Sequence, residues 1–406
     1  MKKNLRILVL GMMFIFSIFF YFLSAQPIQK NNNKVLTFNT KQEEKLALNY
    51  LNSLRQGAGL IPFKLQNNLQ LATKNHAKYL IQNRTYGHCE ETNKSCFTGK
   101  FAGERIIKAG YSTALIIENV SSNNRNYKES IDGLFSAIYH RFAFLDFQGD
   151  EIGISIQQNI KHKMETAFVY NIGSTQLNQL YKKKTKPSEE SLNKALEIHK
   201  NTNAPCVSYP FNKQKDVPTV FFNELPDPLP QYDVSGFPIS ISFNQARYKK
   251  VKLLKFQLFD SNHQEVFNTR IHNYLTDPNK RLNKFSFVLF PLNRLKWNSL
   301  YYVEFLAILD KKLIKKEWSF KTRNPSLPLH IVENEEKVIE IKVNKENLFY
   351  FPPQYPKDLL HNVRYNKNYK MDFLDKNTIK LTALQSSSLT QTLQVGRHKL
   401  KLSIQN

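Results

Sequence analysis

The side chains best suited to covalent chemistry in this 406-residue chain are three cysteines, Cys89, Cys96 and Cys206. A thiolate beside an imidazole can act as a nucleophile, and His88 directly precedes Cys89. Neighbours in sequence, however, seldom reach the approach geometry that such a pair needs. In an oxidising compartment a Cys89–Cys96 disulfide would close an eight-residue loop and contribute about 2.5 kcal/mol before strain. We therefore predict this disulfide, with Cys206 unpaired or bonded to another chain.

Sequence motifs of the common hydrolase, nucleotide and metal sites are missing from the chain. It has no GxSxG, no GxxxxGK[ST], no HExxH and no CxxC. His76 lies on an otherwise apolar helix face, which predicts a buried or half-buried structural histidine. Glu104 and Arg105 are adjacent charges, which we interpret as a solvated pair. None of these features indicates an enzyme by itself.

The N-terminus has the order of a secretory signal. Three basic residues among the first six precede the uncharged run Ile7–Leu23, and the small residues Ser24 and Ala25 follow. We predict a signal peptide over residues 1–25 and an exported protein that is periplasmic, secreted or attached to the cell envelope. The alternative is an uncleaved anchor, since a 17-residue helix spans about 26 Å, slightly less than a bilayer core of about 30 Å.

The net charge is +25, from 58 Lys and Arg against 33 Asp and Glu. Such a balance suits a polyanionic partner. Here the basic residues recur in short groups along the whole chain, such as Lys249–Lys250 and Lys311–Lys316, rather than on one helix. We therefore predict loose affinity for anionic surfaces, and export removes nucleic acid from the expected partners.

Hydrophobic periodicity divides the chain into a mixed first unit and a β-rich remainder, an α+β protein. The first unit, residues 40–178, has helical patterns at Glu43–Arg55, Leu69–Leu80, Phe101–Ala109 and Lys128–Ile138, then strands at Glu151–Gln157 and Ala167–Ile172. Residues 179–204 are Lys-rich and polar, and we interpret them as a linker.

The remainder of the chain reads as β-structure. Across residues 205–324, apolar residues alternate at Ile239–Phe243, Leu254–Leu258, Phe285–Leu289 and Tyr301–Phe305. This pattern predicts an antiparallel β-sandwich. Residues 327–406 alternate in the same way at Ile339–Val343 and Leu400–Ile404, so we predict a small β-rich domain there.

An ordered set of short motifs in the first unit resembles the CAP (SCP-like) family. These are Leu51–Arg55 with Gly59-Leu60, Leu69–Ala72 with His76-Ala77, Tyr86–His88, Phe97–Gly99, Glu118-Asn119, Tyr139–Arg141 and Glu151–Ile154. The resemblance implies an α-β-α sandwich over residues 40–178. The following residues, with Pro226–Pro230 and Trp318–Thr322, look like a bacterial Ig-like module attached to exported CAP domains.

The resemblance also implies a cleft with a His/Glu group. His88, Glu118 and His140 match the family's two histidines and one of its glutamates. The other glutamate falls where this chain has Phe135-Ser136-Ala137, so that group is broken unless Glu151 or Glu129 substitutes. Two imidazoles and a carboxylate in a cleft would suit Zn²⁺, which makes His88 and His140 the candidate metal ligands.

We expect an exported CAP protein that binds an unknown envelope or extracellular ligand without catalysis. The family resemblance leaves two alternatives open. One is a zinc-dependent hydrolase acting through His88, Glu118 and His140, whose metal would polarise a bound water. The other is a lipid- or sterol-binding module, because members of the wider family bind such ligands.

Overall fold

The computed structural model describes residues 39–162, 165–183, 187–333, 336–361, 363–365 and 367–406. The predicted signal segment, including Ile7–Leu23, lies outside these residues. Within the described part of the chain, no helix is long and apolar enough to span a membrane. All described residues belong to one compact unit.

The first domain is a four-stranded sheet with helices on both faces. Its elements are α1 (Thr40–Gly57), β1 (Lys64–Leu65), α2 (Asn67–Asn83), α3 (Ala102–Lys108), β2 (Ile117–Ser122), α4 (Tyr127–Ser136), α5 (Ile138–Phe144), β3 (Glu151–Gln158) and β4 (Thr166–Gly173). The strand order is β1-β3-β4-β2, which places β2 at an edge of the sheet. This arrangement confirms the predicted α-β-α fold.

Strand alternation assigns each helix to one face of the sheet. On one face, Ile154 belongs to the same core as Leu51 of α1 and Phe135 of α4. On the other face, Val169 of β4 shares a core with Leu80 of α2. The domain therefore has an α1/α4/α5 layer and an α2/α3 layer, separated by the sheet.

One helix prediction in this domain is wrong, and one strand is not predicted by the sequence patterns. The helix predicted over Lys128–Ile138 is two helices, because Ala137 is extended (φ −78°, ψ 110°) and ends α4 before α5 begins. The sequence patterns do not predict strand β2. Its residues are mostly half-buried at the sheet edge, so they lack the apolar alternation that marks β3.

The segment predicted as a linker contains a helix that ends against the first domain. The chain forms α6 (Thr175–Tyr181) and then α7 (Glu189–Thr202). Just after α7, the Asn203 side chain donates to Phe147 O at 2.8 Å and accepts from Ile61 N at 2.7 Å. These hydrogen bonds tie the end of the segment to the first domain.

The next region is a β-sandwich. Its strands are β5 (Cys206–Tyr209), β6 (Gln214–Val217), β7 (Val220–Phe222), β8 (Val234–Gly236), β9 (Ile239–Phe243), β10 (Val251–Phe259), β11 (Thr269–His272), β12 (Ser286–Pro291), β13 (Leu300–Leu309) and β14 (Lys312–Thr322). The two main sheets have the orders β11-β12-β9-β5 and β10-β13-β14-β6. Phe305 of β13 packs against the other sheet, because its ring centroid lies 5.6 Å from the ring centroids of Phe243 and Phe287.

The C-terminal region forms two further four-stranded sheets around its own core. Its strands are β15 (Leu329–Ile331), β16 (Val338–Lys342), β17 (Glu346–Tyr350), β18 (Val363–Arg364), β19 (Tyr369–Asp375), β20 (Thr378–Ala383), β21 (Ser387–Val395) and β22 (His398–Gln405). The two alternating runs seen in the sequence, at β16 and β22, pair in parallel. The prediction of a strand-rich remainder is therefore confirmed.

Candidate functional site

His88 and Glu118, two of the predicted cleft residues, are in direct contact. Glu118 lies on β2, and His88 lies in the loop that follows α2. The His88 Nδ1 atom is 3.0 Å from Glu118 Oε1. The Glu118 side chain is 4% exposed and that of His88 is 49% exposed. A buried carboxylate thus holds one ring nitrogen of an imidazole that reaches solvent, and this contact fixes the orientation of the ring.

The carboxylate of Glu118 is fully engaged by a buried arginine. Arg105 of α3 donates from Nη2 to both Glu118 oxygens at 2.8 Å. Burial alone would raise the pKa of Glu118, but the Arg105 guanidinium and the His88 hydrogen bond outweigh burial and lower that pKa to about 2. Glu118 is therefore ionised and neutralised by Arg105 at physiological pH.

The same arginine extends the contacts to a second acid–histidine pair. Glu90 lies 3.8 Å from Arg105 Nε, and its Oε1 is 2.9 Å from His76 Nδ1. His76 has no solvent exposure, and its Nε2 contacts Gly87 O at 3.0 Å. We call the series His76–Glu90–Arg105–Glu118–His88 the buried ion network.

The buried ion network corrects one prediction and agrees with another. The expected solvated pair of Glu104 and Arg105 is wrong, because Arg105 is 1% exposed and Glu104 accepts a hydrogen bond from Lys100 N at 2.9 Å. His76 is a buried histidine with both ring nitrogens in contact with acceptors, as its apolar helix face predicts. The network holds the loop between α2 and α3 against the sheet.

The predicted disulfide is not seen in the structure. Cys89, Cys96 and Cys206 are all free, with Cys89 exposed and the other two half-buried. Burial raises the pKa of the Cys206 thiol, which makes it a poor nucleophile at neutral pH. The loop that carries Cys89 and Cys96 is held instead by Glu90, which accepts from Thr98 N at 2.6 Å.

His140 lies in a different environment from the other two predicted cleft residues. It belongs to α5, in the α1/α4/α5 layer. Its Nδ1 atom is 3.0 Å from Oε2 of Glu224. Glu224 lies on the loop between β7 and β8 of the β-sandwich. Burial raises the pKa of Glu224, and the hydrogen bond from His140 offsets part of this rise.

The neighbours of His140 also contact the β-sandwich. The Tyr139 hydroxyl donates a hydrogen bond to Asp277 Oδ1. Arg141, which is completely buried, donates to Pro238 O at 2.7 Å and to Ser240 Oγ at 3.1 Å. Burial lowers the pKa of Arg141 to about 9. The Tyr139–Arg141 segment of α5 therefore forms a contact between domains.

Alternation along β2 explains why the predicted residues separate into two groups. Adjacent strand residues point to opposite faces. Glu118 meets Arg105 on the α2/α3 side, whereas Asn119 donates to the backbone oxygen of His140 at 2.9 Å on the other side. Arg105 and His140 thus contact β2 from opposite helical layers.

These positions do not fit a zinc site. Both Glu118 oxygens accept hydrogen bonds from Arg105, and His140 Nδ1 faces Glu224. Across the described residues, no group of three or more His, Cys, Asp or Glu side chains lies in an arrangement that could hold a metal ion. Zinc binding by His88 and His140 stays a prediction.

The two glutamates considered as substitutes also have structural partners. Glu151, at the start of β3, accepts a hydrogen bond from the Tyr111 hydroxyl at 2.8 Å. Burial raises the pKa of Glu151. Glu129, in the first turn of α4, pairs with Arg125 at 3.1 Å. Both contacts lie outside the buried ion network.

A family match agrees with the fold of the first domain. Residues 48–171 match the model of the cysteine-rich secretory protein family, CAP. Among solved structures, the chain is similar to an outer surface protein from Borrelia burgdorferi, at 22% identity over 34% of this chain and 96% of that one, with a TM-score of 0.30.

A second solved structure is an extracellular protein containing an SCP domain from Bacillus anthracis str. Ames. It is 15% identical, and the match covers 34% of this chain and 41% of that one, with a TM-score of 0.30. No curated protein matches the chain. The family match, together with the helix-flanked sheet, shows that residues 48–171 of this chain form a CAP domain.

Proposed function

We propose that this protein is an exported binding protein without catalytic activity, in which β-modules hold a CAP domain in a fixed position. Export is supported by the basic, apolar and small-residue order of residues 1–25. The observation that carries the proposal is that the matched motif side chains already have partners within the protein. His88 and Glu118 contact each other, and His140 contacts the β-sandwich, instead of forming an open reactive centre.

The electrostatics of Glu118 argue against a catalytic role. A general base works best when its pKa lies near the operating pH. The pKa of Glu118 is about 2, and Arg105 binds both of its oxygens. A proton acceptor or metal ligand at this position would first have to break a buried ion pair. The stable role of Glu118 is to hold Arg105 and to orient His88.

The position of His140 supports a fixed connection between the domains. His140, Tyr139 and Arg141 each contact a different segment of the β-sandwich. Arg323, just after β14, adds another contact by donating to Asp132 of α4 at 2.6 Å. Several separate contacts of this kind restrict rotation of one domain on the other. We therefore propose that the β-modules present the CAP domain in one orientation.

The proposal predicts that the full chain neither binds zinc at a shared His88/His140 site nor hydrolyses substrates. The test is calorimetric titration of the purified chain with zinc, repeated with His88→Ala and His140→Ala. The same proteins are assayed on a peptide, an ester and a glycan. We expect that the unmodified chain shows no stoichiometric zinc uptake that depends on His88 and His140. We also expect no turnover of the peptide, the ester or the glycan.

Zinc-dependent turnover that is lost in either histidine variant would establish the hydrolase alternative instead. Cell fractionation tests the export part of the proposal separately. The chain should be recovered outside the cytoplasm, and retention in the cytoplasm would contradict export. A variant with Leu10 replaced by Asp, which interrupts the apolar run, serves as the control for that measurement.

A further inference from the structure

A depression of about 440 Å³ lies on the β10-β13-β14 side of the β-sandwich, away from the residues discussed above. Aromatic rings and charged side chains both line it. Phe259 of β10 and Tyr302 of β13 are directly paired residues, so their side chains project from the same face of the sheet. The ring of His263, in the turn after β10, stacks on Tyr302 with centroids 4.2 Å apart and an interplanar angle of 21°.

Charged side chains of both signs lie beside these rings. Glu304 and Glu317 are directly opposite each other on β13 and β14, a placement that repels unless it is compensated. Lys315 compensates it, since its Nζ lies 3.0 Å from Glu304 and 2.9 Å from Glu317. Lys255 adds a second ammonium 3.4 Å from Glu304. Two carboxylates and two ammonium groups leave this part of the surface with no net charge.

Trp318 also borders the depression, but its side chain points into the sandwich core. It is paired with the buried Val303, and its ring lies 6.3 Å from that of Phe256. Its indole is therefore on the opposite face of the sheet from Tyr302 and takes no part in the surface that Tyr302 and Glu304 form.

We propose that this depression is a saccharide-binding site. A pyranose ring presents an apolar C–H face, which stacks on aromatic rings, and a rim of hydroxyl groups. Those hydroxyls can donate to Glu304 and Glu317 and accept from Lys315, in charge-assisted hydrogen bonds. An uncharged ligand suits a surface whose charges already cancel, and a mixed apolar and polar lining is typical of small-ligand sites.

The test is calorimetric titration of the full chain with cellohexaose and with chitohexaose, two uncharged oligosaccharides. We expect at least one of them to bind with a dissociation constant below about 1 mM. Tyr302→Ala should weaken binding about tenfold or more. The matched control is Phe267→Ala, which removes an aromatic side chain that is 82% exposed elsewhere on the sandwich and should leave binding unchanged.

A second variant keeps the test decisive if Tyr302→Ala impairs folding. The Glu317 side chain is 65% exposed, so Glu317→Ala should fold normally and weaken binding about threefold or more.

Three results would overturn the proposal. One is no binding of either sugar at about 10 mM. Another is binding that Tyr302→Ala and Glu317→Ala both leave intact. The third is preference for a charged probe, lysine or citrate, with affinity that falls steeply as salt is added. That result would assign the depression to an ionic ligand.

Discussion

Replacing Arg105 with methionine should lower the free energy of unfolding by about 3–5 kcal/mol, because it leaves a buried carboxylate without its counter-ion. Glu118 is 4% exposed, and the lost guanidinium makes two of its hydrogen bonds. Glu90 loses a nearby cation in the same substitution. Urea denaturation of the full chain measures the change.

The pH dependence of stability gives an independent readout of the same ion pair. The pKa of Glu118 is lowered in the folded state from 4.5 to about 2, so its contribution is present above about pH 4.5 and is lost as the pH falls towards 2. A shift of this size corresponds to about 3 kcal/mol. Arg105→Met should flatten this acid limb.

The control for Arg105 is Arg125→Met, which removes a surface pair with Glu129, in which the side chains of Arg125 and Glu129 are 45% and 35% exposed. Exposed pairs contribute about 1 kcal/mol or less. Two results would show that Arg105 does not stabilise Glu118. One is an equal loss of unfolding free energy in the two variants, and the other is a fall of stability at acid pH that Arg105→Met leaves unchanged.

Replacing Gly153 with alanine should destabilise the protein by about 3 kcal/mol, because α2 lies directly on this residue of β3. An added Cβ would lie 2.2 Å from Leu69 C and 2.4 Å from Leu69 O. These are backbone atoms, so relief requires α2 to move away from the sheet. The measurement is the midpoint and slope of urea denaturation.

Gly133→Ala provides the matched control in the same domain. Gly133 lies in α4, and a Cβ added there meets nothing within 4 Å. Alanine is favoured over glycine inside a helix by about 1 kcal/mol, so this variant should be slightly more stable. If Gly153→Ala were as well tolerated as Gly133→Ala, the close approach of α2 to β3 would be wrong.

The elements with clear periodicity could be predicted from the sequence. The helix expected over Glu43–Arg55 is Thr40–Gly57, and the strand expected over Glu151–Gln157 is Glu151–Gln158. Both bury one regular face, so the pattern of apolar residues carries the information. Strand β2 is mostly half-buried, and its buried side chains include the polar Glu118 and Asn119. Its residues therefore show no alternation of apolar and polar side chains.

The candidate site was less predictable because its contacts are distant in sequence or depend on strand direction. Motif matching identified His88 and Glu118 as cleft residues, but Arg105 was interpreted as a solvated pair with the adjacent Glu104, although its side chain is buried. Glu224 is 84 residues from His140, and no local pattern connects them. A strand prediction for residues 117–122 would have placed Glu118 and Asn119 on opposite faces.

His140 serves the contact between domains rather than a cleft shared with Glu118, and double-mutant cycles on the free energy of unfolding can separate these two roles. One cycle pairs His140→Ala with Glu224→Gln, and the other pairs it with Glu118→Gln. We predict a coupling energy of at least about 0.5 kcal/mol for His140 with Glu224, and a smaller one for His140 with Glu118. Coupling to Glu118 with none to Glu224 would contradict the assignment of His140 to the contact between domains.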